Sequence, residues 1–406
     1  MQQIADFHIH SRFSRACSRD LTIPNIEATC RVKGIDIIGT GDFTFPEWFE
    51  EIKDNLEEVN NSGLFKLKNA PDDKVLFTLT SEVALIYKKF DKCRRLHIVI
   101  HAPSLEAVEE LNADLDKDFN IRSDGRPILG MSVERLMEMC FAIDDRFLIY
   151  PAHIWTPWFA VFGSKSGFNS LEECFGEFTP NIYACETGLS SDPEMNWRLS
   201  ALDNITLLSS SDAHSLPNLA REATVFDLEE RTYDEIYDAI KNKDLSKIKY
   251  TIEFYPEEGM YHYDGHRECK VRLTPAETKK LKGICPHCNR PVVVGVENRV
   301  DELADRKVAY KLKNVPGFKK LVELDKIICA AIGIKSRKAK KVKVEYDNLI
   351  ENLGTEMDIL MNISIKKIEK VSGERIAEGI RRVRKGELII EPGYDGEYGE
   401  VKIFND

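Results

Sequence analysis

Asp6-Phe7-His8-Ile9-His10, close to the start, and Ser211-Asp212-Ala213-His214, far along the chain, decide how this sequence is read. Residues i and i+2 of a strand project to one face. His8 and His10 therefore share a side, and Asp212 and His214 add a carboxylate and an imidazole in the same arrangement. Nitrogen and oxygen donors delivered on two strand ends are what a hydrolytic metal centre requires. One such pair is compatible with ordinary core or surface histidines. The two together, with the residues below, point to metal binding.

Working outward from these motifs, short apolar runs alternate with amphipathic stretches between Ile4 and Phe254. Strands are expected near 35–39, 75–79, 96–100, 147–150, 182–185 and 205–208, and helices near 48–59 and 133–140. Such alternation predicts an α/β fold with a parallel sheet, open or closed into a barrel. Thr40-Gly41-Asp42, Ser81-Glu82, Pro151-Ala152-His153, Glu186-Thr187-Gly188 and Ser211-Asp212 stand just after expected strands. That is the end at which α/β barrels assemble active sites.

The chain has 406 residues, 43% hydrophobic and 31% charged, as in a soluble globular protein of two or three domains. Pro256-Glu257-Glu258-Gly259 reads as a hinge, so units over 1–255, 256–298 and 299–406 are expected, the last helical and rich in Lys and Glu. The tail, from Gly386 to Val401, reads as a strand, a glycine-punctuated loop and a second strand. With no charged-then-apolar leader and no apolar run of membrane-spanning length, a cytoplasmic protein without a membrane partner is expected. Ten cysteines imply no disulfides there, and all but Cys269, Cys285 and Cys288 read as small buried hydrophobes.

The net charge of −11 neither advertises nor excludes a nucleic-acid binder, because binding answers to the local field. Lys335, Arg337, Lys338, Lys340, Lys341 and Lys343 lie in one short stretch. Alone this is a solvated helix face; beside a nuclease-like centre it is a phosphate-contact surface.

His97 opens an expected strand and His153 follows another. With His8, His10, Asp42, Glu82, Asp212 and His214 they are more donors than one ion uses, and a carboxylate such as Glu82 can bridge two. A cluster of two or three metals suits phosphate-ester hydrolysis. Mixed His and carboxylate donors fit Zn²⁺ or Mn²⁺ better than Mg²⁺ alone. Arg12, Arg15 and Arg19 crowd the first loop, either to grip phosphate or to pair with acids at the rim.

This set resembles the PHP (polymerase and histidinol phosphatase) superfamily, whose members are distorted (β/α)7 barrels with a trinuclear metal site. The resemblance implies ligand roles for His8, His10, Glu82, His97, His153, Asp212 and His214, with Asp212, His214, His10 and Glu82 carrying the chemistry. Two positions depart from the pattern. Thr40-Gly41-Asp42 stands where the family has Thr-Asp-His, so Asp42 takes the histidine position. Arg15 follows Ser14 where an acid is usual, which leaves Asp20 as the nearest candidate. His101 reads as a supporting or surface histidine.

His266-Arg267-Glu268-Cys269 and Cys285-Pro286-His287-Cys288 form two knuckles able to close a tetrahedral Zn²⁺ site. His266 is the preferred fourth ligand, with His262 and His287 as competitors. A redox Cys-x-x-Cys is the alternative, without the βαβ pattern that usually adjoins it. The module has too few apolar residues to fold alone, so the metal is expected to stabilise it.

A PHP barrel joined to a zinc module and a basic helical tail resembles the endonuclease Q family of prokaryotic DNA-repair nucleases. The narrower match rests on Tyr261-His262-Tyr263-Asp264-Gly265-His266-Arg267 and Pro392-Gly393-Tyr394-Asp395-Gly396-Glu397-Tyr398-Gly399. The resemblance implies nicking on the 5′ side of hypoxanthine, uracil or an abasic site in DNA, after extrusion of the nucleotide. Tyr261, Tyr263, Trp155, Trp158 and the Thr187–Ser191 loop, with Thr187 and Ser190, are candidates for the base pocket. A sliding clamp or other repair protein is an expected partner. Two other readings stay open: a small-molecule phosphoesterase of the histidinol phosphatase type, and a non-catalytic DNA-binding accessory protein.

Overall fold

The computed structural model of the chain describes residues 2–405. Strand Gln2–Asp6 lies in the middle of an 11-stranded sheet. On one side it pairs parallel with Ile37–Gly39, which pairs parallel with Leu76–Lys89. On the other it runs antiparallel to Ala223–Asp227, followed by Ile248–Glu253. Leu76–Lys89 and Lys92–Ala102 form a long antiparallel hairpin, and Lys92–Ala102 also pairs antiparallel with Leu148–Pro151. Ala184–Glu186 and Thr206–Leu208 make a separate parallel pair.

The sheet is thus mixed, not parallel as the alternation suggests. The reason is local. Phe90 and Asp91 both adopt left-handed backbone angles (φ 52° and 56°), which turn the chain straight back on itself. No Asn-Gly pair announces that turn. Consequently Glu82 and His97 sit within strands, opposite Val99 and Ala84, and not at strand ends.

Successive strand residues divide between two apolar clusters. Ile37, Leu76, Val99, Leu148 and Tyr150 face one; Ile38, Phe77, Ile98, Ile100 and Ile149 face the other. A sheet buried on both faces explains the continuous hydrophobic runs. Helix Tyr233–Lys241 covers the first cluster with Tyr233, Ile236 and Ile240. Several helices start where short polar side chains accept the orphan N–H groups, as Ser104, Ser132 and Thr232 do.

Beyond residue 320 the chain is mainly helical: Leu324–Ile332, Lys340–Leu353, Glu356–Met361, Ile365–Ser372 and Glu374–Lys385. Strand Gly317–Lys320 joins the main sheet beside Ile248–Glu253. The tail closes with the expected antiparallel pair, Ile389–Glu391 and Glu400–Lys402. Among the described residues no helix is long and apolar enough to cross a membrane.

Candidate metal centre and the cleft beside it

The first strand ends at Asp6, which is buried and accepts hydrogen bonds from Ser211 N (2.9 Å) and Ala220 N (2.8 Å). Ile9 bridges to Ala213, and His10 N donates to Ala213 O at 3.2 Å. These bonds bring the two opening motifs into register. Burial, only partly offset by the bonds from Ser211 and Ala220, pushes Asp6 up to about 6.

Glu82 stands at the centre and is buried. Its Oε2 faces His8 Nε2 at 3.5 Å and His10 Nε2 at 3.3 Å. Its Oε1 faces His97 Nδ1 at 2.8 Å and His153 Nε2 at 3.1 Å. Asp212 Oδ1 completes the first set, 3.0 Å from His10 Nε2. Two groups of donors result: His8, His10, Glu82 and Asp212, and Glu82, His97 and His153. In each, the donor atoms lie within 4.8 Å of one another. Glu82 belongs to both, with one oxygen toward each.

The rings are held for this task. His8 Nδ1 meets Glu186 Oε2 at 2.9 Å, so its Nε2 points into the centre, buried and without a hydrogen-bond partner. His10 Nδ1 meets Asp42 Oδ1 at 3.0 Å, and His153 Nδ1 meets Thr156 Oγ1 at 3.1 Å. Fixing one ring nitrogen to present the other is how proteins orient metal ligands. The orphaned nitrogen of His8 and the mixed imidazole and carboxylate donors fit divalent ions.

Burial opposes charge on His8, but Glu186 and Glu82 outweigh it and raise its pKa well above the usual value. Burial likewise works against Glu82, and the charges of His97, Arg126 and His8 hold it well below the carboxylate range. Ions would take over the work of these protons. Asp42, His153 and Asp212 all have left-handed backbone (φ 50°, 28° and 46°). Positive φ is uncommon outside glycine, though Asp and His are among the residues that adopt it most, and three such positions at one centre mark a constrained site.

Other expected ligands stand apart from the two groups. Asp42 spends Oδ2 on Ser11 N (2.7 Å), Ser11 Oγ (2.6 Å) and Ser14 Oγ (2.8 Å), and so supports His10 from behind. Asp20 is exposed in a surface turn, accepting from Ser18 Oγ. His214 is partly exposed, with its ring 4.7 Å from that of His10. His101 is buried and bonds Tyr150 OH at 2.9 Å.

Sequence reasoning assigned no role to Glu186, Arg126 or Arg221. Arg126 Nη1 binds Glu82 Oε2 at 2.8 Å. Arg221 Nε donates to Ser211 O at 3.0 Å, behind Asp212. Glu186 does close an expected strand; the two arginines carry no motif.

A cleft of about 610 Å³ adjoins the centre. Thr156, which holds His153, and Arg221 both line it, together with Trp158, Ser190, Tyr261 and Tyr398. Trp158 and Tyr261 meet edge to face at 5.4 Å. Of the other expected pocket residues, Trp155 is buried and donates to Asn196 Oδ1. Thr187 is buried and bonds Glu253. Tyr263 stacks on His262.

His266, Cys269, Cys285 and Cys288 converge into a third group with donor atoms within 4.8 Å. His287 is exposed, and His262 lines the cleft instead. Lys335, Lys338, Lys340 and Lys341 are exposed. Arg337 is not free: Asp325 holds it at 2.7 Å, with Glu323 and Asn218 at 3.3 Å. Arg12 pairs with Glu51, while Arg15 and Arg19 are exposed.

A mixed α/β fold with carboxylate-bridged histidine groups beside a cleft defines a metal-dependent hydrolase of the phosphoesterase kind. Residues 195–245 match the family described as PHP-associated, and residues 323–387 match the MJ0043 C-terminal domain family. The chain is 32% identical over 255 residues to MJ0043 of Methanocaldococcus jannaschii, covering 61% of this chain and 31% of that protein. It thus spans less than a third of that relative. It is 28% identical over 415 residues to YqxK of Bacillus subtilis, covering 98% of each. The crystal structure of the lesion-specific endonuclease PfuEndoQ from Pyrococcus furiosus superposes with a TM-score of 0.87 at 32% identity, covering 100% of this chain and 96% of that one. Endonuclease Q bound to a 27-mer duplex with an abasic lesion at its active site gives 0.86 at 32% identity, covering 100% and 97%. The chain belongs to the endonuclease Q family.

Proposed function

We propose that the chain is a DNA-repair endonuclease that hydrolyses the phosphodiester on the 5′ side of hypoxanthine, uracil or an abasic site. The observation that carries this is Glu82, shared by two donor groups, with an aromatic-lined cleft beside them. The likeness to an endonuclease Q solved with abasic-site DNA supports it.

In this reading the mixed sheet and the pair Ala184–Glu186 and Thr206–Leu208 form a distorted (β/α)7 PHP barrel over 1–255. A zinc-binding module follows over 256–298, and a basic helical domain with a terminal hairpin over 299–406. His8, His10, Glu82 and Asp212 would hold one divalent ion, Glu82, His97 and His153 would hold a second, and His266, Cys269, Cys285 and Cys288 would hold a structural Zn²⁺. Zn²⁺ or Mn²⁺ suits the first two sites better than Mg²⁺ alone. When bound, such ions supply Lewis-acid activation of water and offset the charge of the phosphate.

The chain's own residues do the rest. A damaged nucleotide is extruded at lower cost than a paired one. The cleft receives it and sets the phosphate on its 5′ side against the metal centre. A bond forms from water oxygen to phosphorus, and the bond to the preceding 3′ oxygen breaks. That departing oxygen takes its proton from solvent at the partly exposed edge of the centre, beside His214 and Asp212. The water's proton passes to solvent. The products are a 3′-hydroxyl and a 5′-phosphate on the lesion. Arg15, Arg19, Lys335, Lys338, Lys340 and Lys341 contact backbone phosphates.

Incubating the protein with Mn²⁺, Zn²⁺ or Mg²⁺ and labelled duplexes carrying hypoxanthine, uracil, an abasic site or no lesion tests this. One nick per lesion is expected, and Asp212→Ala should abolish it while DNA binding persists. Turnover of phosphate monoesters alone would point to a small-molecule phosphatase, and binding without cutting to an accessory role.

A further inference from the structure

The loop joining Ile389–Glu391 to Glu400–Lys402 lies flat on the segment 257–263. Gly393 N donates to Glu257 O at 2.9 Å, Gly399 N to Glu258 O at 3.0 Å, and Gly396 N to Met260 O at 2.8 Å. Tyr263 N returns a bond to Gly393 O at 2.9 Å. A Cβ at Gly399 would lie 2.0 Å from Glu257 O, and one at Gly393 2.4 Å from Gly259 O. Only glycine permits backbones to approach so closely, so the loop has one seat.

That seat presents Tyr398. Its exposure of 77% exceeds that of every other exposed large hydrophobic side chain among the described residues. Tyr398 and Gly399 line the cleft that also holds Trp158 and Tyr261. A lone exposed tyrosine needs no explanation. A tyrosine fixed by tightly seated glycines at the edge of an aromatic-lined cleft does. Its backbone is held by these bonds before any ligand arrives, so covering its ring costs side-chain entropy but not the ordering of the loop. An aromatic ring with an open face stacks on an unstacked nucleobase of any identity.

We propose that Tyr398 is a positioning residue that stacks on the extruded base itself and closes the cleft over it. This rests on the nuclease reading above, and it goes further by separating lesions that have a base from one that does not. An abasic site offers nothing to stack on. Tyr398 should therefore matter for hypoxanthine and uracil and be indifferent to an abasic site.

The test compares steady-state cleavage of hypoxanthine, uracil and abasic duplexes by the full-length, metal-loaded protein and its Tyr398→Ala and Tyr398→Phe variants. For Tyr398→Ala, KM should rise about tenfold on the two base lesions with kcat little changed, the scale of one lost base–aromatic stack. KM on the abasic duplex should stay at the wild-type value, which also certifies that the variant is folded. Tyr398→Phe should behave as wild type throughout. Unchanged KM on all three duplexes overturns the proposal, as does an equal loss on all three. A wild-type protein that cuts no lesion removes the nuclease reading, and this proposal with it.

Discussion

At the scale of single residues, the centre depends on carboxylates that lie outside the two donor groups. Glu186 and Asp42 each hold the Nδ1 of one histidine, so that Nε2 of His8 and of His10 faces inward. Supporting groups of this kind are typically worth 10–100-fold in metal affinity. Glu186→Gln should therefore weaken divalent-ion binding by about that factor, read by competition with a chromophoric chelator, while thermal stability without metal changes little. Undiminished affinity would mean that His8 needs no orienting partner. The histidines themselves were legible because a period of two puts His8 beside His10 whatever the rest of the fold does. Glu186 was visible as strand-end chemistry, but no spacing connects it with His8, which is 178 residues away. Asp42 looked like a ligand because it occupies a ligand's place in the chain. In the fold its φ of 50° and three hydroxyl or amide donors set it against His10 Nδ1.

At the scale of elements, two neighbouring strands bury an acidic pair that the metal centre does not use. Ala223 pairs with Ile252, which sets Glu222 and Glu253 side by side at one end of the ladder, and Glu222 Oε1 accepts from Phe254 N at 3.2 Å. Burial, opposed by Thr251 and Thr187 and reinforced by Asp192, pushes Glu253 up to about 8. Burial and then the Glu253 charge raise Glu222 well above the usual 4.5. Unfolded, both would lose their protons near 4.5; folded, they keep them to higher pH. The unfolded chain thus binds fewer protons between these values, and the pair's contribution to stability declines from about pH 4.5 and is lost as pH rises through about 8. The Tm of the wild type should fall more steeply over that range than the Tm of Glu222→Gln/Glu253→Gln, in which all other titrations cancel. Parallel curves would show that the pair is ionised in the fold. The strand that carries Glu253 was not visible as a partner of Ala223–Asp227, because two buried apolar runs carry no sign of their direction. The same ambiguity hid the hairpin of Leu76–Lys89 and Lys92–Ala102, whereas helices with a clear 3.6-residue stripe, such as Val133–Ile143, were located within a few residues.

At the scale of the whole molecule, the His266, Cys269, Cys285 and Cys288 group connects distant parts of the chain. Among the described residues its own apolar cluster is Val271, Leu273, Cys285 and Val292, with Cys269, Leu281 and Cys288 partly buried against it. That is little to order the hairpin Asp264–His266 and Val271–Leu273, and on the reading proposed above a bound ion would supply the missing stability. The tail is fastened to the same hairpin: Tyr394 bridges Tyr263, Asp395 accepts from Arg267 N at 2.7 Å, and Gly265 packs under the Tyr394 ring. On the other side, buried Arg299 reaches Phe162 O at 3.0 Å and Phe168 O at 2.9 Å, in the body that carries His153. Loss of the ion should therefore loosen the tail and the cleft wall without touching Glu82 and its histidines. Cys285→Ser should bind one fewer metal equivalent per chain, become sensitive to protease between residues 264 and 294, and cut lesion DNA with a raised KM. Its kcat with saturating Mn²⁺ should stay near that of the wild type, since the donors around Glu82 are unaltered. An unchanged metal count would remove the ion from this group. A collapse of kcat with KM preserved would place the coupling inside the Glu82 centre, not in the cleft.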